Sequence, residues 1–69
     1  MNKFQERLKE LLTENNCKIV DVSRDLNISQ NKLSHLKRGR NEPNIDDIIA
    51  LSKYFDVTTD YLLGATDDY

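Results

Sequence analysis

Between Ile19 and Arg38 the chain reads IVDVSRDLNISQNKLSHLKR, and the spacing of its apolar residues restricts the fold more than any other feature. Val22, Leu26, Ile28, Leu33 and Leu36 recur at helical rather than alternating intervals, so two short helices each bury one face and turn their polar residues outward. The first is expected over about Ile19 to Leu26. Asn27 falls where the chain must turn sharply, and asparagine is, after glycine, the residue best able to take positive φ. Ser29 suits the N-cap of the second helix, which runs to about Lys37 with Gly39 as its stop.

The rest of the chain carries the same period. Phe4, Leu8, Leu11 and Leu12 form one stripe on a helix from about Asn2 to Asn15, with Glu6, Lys9 and Glu10 on its solvated side and Asn15-Asn16 fit for a left-handed end. Arg40-Asn41-Glu42-Pro43 is a loop. Asn44 caps a fourth helix with Asp47 in the capping-box position, and Ile45, Ile48, Ile49, Leu51 and Phe55 supply its apolar side. Thr58 or Thr59 opens a short fifth helix that Gly64 ends. With no strand pattern or repeat, an all-α fold of five helices is predicted in one domain, residues 1–64, followed by a frayed tail, 65–69.

At 69 residues the chain is a single small domain, and 32% charged residues with no long apolar run argue against a membrane span. The start of the chain lacks the apolar stretch of a secretory signal, so a cytoplasmic location is expected. Cys17 is the lone cysteine, which excludes an internal disulfide and a multi-cysteine metal site. His35 has no cysteine or histidine partner at helical spacing and no nucleophile beside it. Gly39 and Gly64 are too far apart for a glycine-rich phosphate loop. Neither an enzyme nor a metal or cofactor site is expected.

The net charge of -2 hides a division along the chain. Residues 1–41 carry nine Lys/Arg against five acids, and residues 42–69 carry one, Lys53, against seven. From Leu26 to Asn41 there is no acid at all. Placing Leu33 and Leu36 inward leaves Asn31, Ser34, His35 and Arg38 on the opposite face of the third helix, with Gln30 in its first turn. Glutamine and asparagine each offer a donor and an acceptor on one amide, which can pair bidentately with adenine in the major groove of DNA. Gln30, Asn31, Ser34 and His35 are therefore the candidate base-reading residues. Lys32, Lys37, Arg38 and Arg40 suit phosphate, as do Lys18 and Ser29 at the starts of the second and third helices.

With those residues in view, the chain resembles the Cro/CI-type helix-turn-helix family, which includes lambdoid phage repressors and many small bacterial regulators. The match runs from about residue 4 to 64, with 19–38 as the helix-turn-helix core. It includes LKRGRNEPN, Leu36 to Asn44, similar to the family's link between helices three and four, and the FDVTTDYLLG ending. The resemblance implies a five-helix lambda-repressor-like domain, the third helix in the major groove, and a homodimer on a two-fold operator. It puts Gln30, Asn31 and His35 at base-contact positions and Lys37, Arg40 and Asn41 along the backbone. A sequence-specific regulator of transcription follows, a repressor of phage or mobile-element type.

Four positions depart from the family pattern. Ile19 stands where a phosphate-binding Gln is usual, which leaves Lys18 and the helix's free N–H groups to receive the phosphate. Ser23 replaces a small Ala, Asn27 the turn Gly, and Lys37 a common Glu. An exposed Ile19-Val20 pair would form an apolar patch for a protein partner, and an antitoxin or anti-repressor on the same fold is the alternative function. Tyr54, Val57, Tyr61, Leu62 and Leu63 offer surface for dimerisation, although core packing competes for at least half of them.

Overall fold

The computed structural model describes residues 3–68, and within them the chain forms five helices and no strand: α1 (Phe4–Glu14), α2 (Ile19–Leu26), α3 (Gln30–Arg38), α4 (Ile45–Phe55) and α5 (Thr59–Leu63). The expected start of α1 at Asn2 lies outside the described residues. The helix boundaries follow local chemistry. Ser29 Oγ accepts from Lys32 N, Asn44 Oδ1 accepts from Asp47 N at 2.8 Å, and Thr58 Oγ1 accepts from Tyr61 N, so three helices start on side-chain caps. Asn16, Asn27 and Asp56 turn the chain at φ of 54°, 57° and 57°.

Phe4, Leu8, Leu11, Leu12, Val22, Leu33, Leu36, Leu51, Phe55, Tyr61 and Leu62 make the core. α3 packs against α1 and α2, while α5 packs against α1 and α4. Leu33 and Leu36 thus fix which way α3 faces. Tyr54 on α4 crosses to α2, where its hydroxyl donates to Asp25 at 2.7 Å. That bond, with Arg24 beside it, holds the Asp25 carboxyl below its usual range, and the tyrosine is pushed up to about 12.

The structure corrects three expectations. Ile45 and Ile49 do not belong to the buried side of α4; they are 74% and 42% exposed, while Asp47 is 4% exposed. Ile45 and Ile49 lie one turn apart, and Asp47 and Leu51 stand roughly 200° around the helix from them, so burying one pair exposes the other. Tyr61 and Leu62, offered as dimer surface, are core residues at 4% and 0% exposure, which leaves Leu63 exposed and Tyr54 and Val57 half-buried. Ile19 is half-buried against the core, so the anticipated Ile19-Val20 patch reduces to Val20.

α1 is in contact with the segment after Gly64. Arg7 of α1 is buried beneath it, its guanidinium 4.1 Å from the centre of the Tyr61 ring and donating to Asp67 at 2.6 Å. Asp67 is drawn below the usual carboxylate range first by that hydrogen bond and then by the charge of Lys3. The segment after Gly64 is therefore tied to α1 at Asp67. Tyr69 lies outside the described residues.

Candidate nucleic-acid interface

α3 presents the face its sequence implies. Gln30, Asn31 and Arg38 are exposed, Ser34 and His35 are half-buried, and Leu33 and Leu36 are buried on the other side. Asn27 places α3 directly after α2, and the Ile28 N–H closes the turn on Ser23 O at 3.3 Å. His35 Nδ1 lies 3.5 Å from the Asn41 side-chain nitrogen. When Asn41 donates across that gap, Nδ1 accepts and the neutral ring carries its proton on Nε2. The loop after α3 thus bears on how this histidine is presented.

The predicted phosphate residues divide into three groups. Ser29, Arg38, Arg40 and Asn41 are exposed around the two ends of α3. Lys18 and Lys37 line a groove with Lys9, Asn16, Cys17 and Ile19, beside the start of α2, and no acid lines it. There the Lys18 N–H is taken by Asp21 Oδ2 at 3.1 Å, and the Ile19 and Val20 N–H groups have no bond among the described residues. Three ammonium groups and a helix start suit one phosphate. By its periodicity Lys9 falls on the solvated side of α1, and only the packing of that helix brings it beside Lys18 and Lys37.

Lys32 stands apart from both groups. Its ammonium lies 2.9 Å from Oδ2 of buried Asp47, on the first turn of α4. Asp47 had been legible as a capping residue, and it fills that place, but no local signal marks its pairing with α3. Among the described residues no cluster of three or more His, Cys, Asp or Glu side chains is disposed to hold a metal ion. Cys17 is half-buried, its Sγ 3.6 Å from Asn15 O. Among the described residues no helix is long and apolar enough to cross a membrane.

The chain is 37% identical over 59 residues to the HTH-type transcriptional regulator ImmR of Bacillus subtilis, a match covering 86% of this chain and 46% of ImmR. It is 31% identical over 64 residues to the HTH-type transcriptional activator BcrR of Enterococcus faecalis, covering 93% of this chain and 31% of BcrR. The crystal structure of a transcriptional regulator from Listeria innocua superposes with a TM-score of 0.87 at 26% identity, covering all of this chain and 64% of that one. The chain thus spans about half the length of such relatives or less. A family model described as a helix-turn-helix domain matches residues 5–67, nearly the whole chain, and the chain belongs to that family.

Proposed function

We propose that the chain is a sequence-specific DNA-binding regulator of transcription that represses by occupying a promoter, with α3 in the major groove. The observation that carries this reading is the face of α3: Gln30, Asn31, Ser34 and His35 stand away from the buried Leu33 and Leu36, flanked by cations with no acid from Leu26 to Asn41. Gln30 and Asn31, in the first turn, come nearest the base edges when a helix enters the groove by its N-terminal end. Lys18, Lys37, Arg38 and Arg40, with Ser29 and Asn41, hold the backbone and set register. Lys9 joins them through the groove it shares with Lys18 and Lys37. Occupancy requires no enzymatic step and no cofactor.

A homodimer on a two-fold site fits this reading, with the two α3 helices one turn of DNA apart, roughly 34–36 Å. Exposed Leu63 and half-buried Tyr54 and Val57 are the surface left for it. Sedimentation of a monomer both free and on DNA would exclude the dimer. The function itself is tested by selection from randomised duplexes at moderate salt. An enriched sequence is expected, and its preference at one base pair should flatten in Gln30→Ala. Lys37→Ala should weaken all sequences alike and lower the salt slope by about 0.9. A selection that enriches no sequence refutes the proposal.

A further inference from the structure

The first turn of α3 carries Gln30 and Asn31 outward, and Leu33, which closes that turn, is its one side chain in the core. Ser29 only caps its own helix, through Lys32 N. Between Ser29 and Lys32, the sole side-chain bond to another element among the described residues is the one from Lys32 Nζ to Asp47 Oδ2, at 2.9 Å. The Asp47 side chain is 6% exposed and that of Lys32 40%.

Asp47 is held from two directions. It stands in the first turn of α4, where the helix dipole favours a negative charge, and the Asn44 N–H faces its Oδ2 at 3.5 Å. The other stabilising group is the Lys32 ammonium. Moving that ammonium to a DNA phosphate would strand a carboxylate that has almost no access to water, and an unpaired buried charge is far more costly than a broken surface pair. Half-buried Lys37 and exposed Arg38 and Arg40 face no such penalty, since none has an ion-pair partner among the described residues.

We infer that Asp47 withholds the Lys32 ammonium from DNA, and that the pair is a positioning device fixing the first turn of α3, with Gln30 and Asn31, to the start of α4. This rests on the DNA-reading role proposed above. Lys32 then adds nothing to the phosphate count although it sits in the most cationic stretch of the chain. Its contribution is to sequence preference, through the placement of its two neighbours.

The test is a salt titration of binding to a random-sequence DNA duplex, with Lys32→Gln, Asp47→Asn and the double variant, each checked for folding by circular dichroism. Lys32→Gln is expected to keep the unmodified chain's slope of log K against log salt. Asp47→Asn frees the ammonium and should steepen the slope by about 0.9, an additional loss of about 3.5-fold between ~0.05 and ~0.2 M salt, and the double variant should return to the original slope. In selection from randomised duplexes, Lys32→Gln should broaden the preference while Lys32→Arg retains it. A purely structural pair would move neither slope nor preference. A slope lowered by about 0.9 in Lys32→Gln, or unchanged in Asp47→Asn, overturns the inference. Should the variants not fold, the 15N-resolved Lys32 ammonium signal of the unmodified chain decides, since it should stay in place when the duplex is added and a shift refutes the pairing. Absence of salt-dependent binding by the unmodified chain refutes the DNA-reading proposal instead.

Discussion

The two glycines end α3 and α5 in the same backbone conformation, φ +78° at Gly39 and φ +84° at Gly64, and both lie against the first residues of α1. They should nonetheless respond differently to alanine. A Cβ in the left-handed region costs about 1–2 kcal/mol wherever it is placed. At Gly39 the new atom would fall 1.6 Å from Gln5 Oε1, an impossible overlap, but that oxygen is the far end of a flexible side chain that can rotate into solvent. Gly39→Ala should therefore cost little beyond the backbone term. At Gly64 the new atom would fall 2.6 Å from Lys3 Cβ and 3.1 Å from its Cγ, and a Cβ cannot move without the backbone that carries it. The start of α1 must shift, which adds about 1–3 kcal/mol of overpacking.

A domain of this size has about 3–5 kcal/mol to lose, so Gly64→Ala approaches unfolding while Gly39→Ala stays folded. Urea denaturation followed by far-ultraviolet circular dichroism reads both, as a fall in midpoint at constant m. Two double variants apportion the cost. Lys3→Gly should restore much of the loss in Gly64→Ala, because it removes the obstructing atoms, whereas Gln5→Ala should restore little in Gly39→Ala. The reasoning fails if Gly39→Ala is the more damaging of the two, or if Gln5→Ala rescues it.

Other outcomes follow from the core, the α2–α4 contact and the basic groove. Leu36→Ala, at a side chain with 0% exposure, should cost about 2–5 kcal/mol by urea denaturation, and a loss below about 1 kcal/mol would contradict its place in the core. Asp25 is held below its usual 3.8, so its contribution is present above that pH and is lost as pH falls further; Tyr54 is raised from 10.0 to about 12, so its contribution is present below pH 10.0 and is lost as pH rises toward 12. Tyr54→Phe should lower stability between those limits and remove the tyrosine's share of the alkaline loss, and an unchanged pH–stability profile would rule the bond out as a contributor. Lys9→Ala should weaken binding to all duplexes and lower the salt slope by about 0.9, and an unchanged slope would take Lys9 out of the interface.

The features legible in the sequence are those settled within one helical turn. Ser29, Asn44 and Thr58 cap because their side chains reach a backbone N–H three residues on, and Asn27 and Gly39 turn because of their own φ preferences. The exposed face of α3 was legible because two buried leucines fix a helix's rotation. What stayed hidden depends on partners distant in the chain. Asp47 reads locally as a cap and so gives no reason to be buried, since its cation lies on another helix. Arg7 looks like one more solvated base until Tyr61 and Asp67 arrive from the far end of the chain. The apolar pattern of α4 misled for a related reason: Ile45 and Ile49 are as hydrophobic as its buried residues, and the Lys32 pairing, added to the Asn44 cap, is what lets an acid take the inner position.

These pairings also resolve how a chain of net charge -2 presents a cationic face. The ion pairs between the base-rich first part and the acid-rich second part, Lys32 with Asp47 and Arg7 with Asp67, neutralise cations away from the groove. Arg24 is engaged by Asp21 and Asp25 on its own helix. Lys9, Lys18, Lys37, Arg38 and Arg40 keep no ion-pair partner among the described residues; Lys9 of α1 shares a groove with Lys18 and Lys37, and Arg38 and Arg40 lie at the end of α3. The body measures 28 × 22 × 20 Å, and charges are screened over about 10 Å at moderate salt, so acids farther away than that do little to cancel the local field. Affinity for DNA should therefore fall as salt rises, although chain and DNA carry the same sign of net charge. The opposite trend, with added salt strengthening binding, would mean that the total charge governs the encounter rather than its distribution.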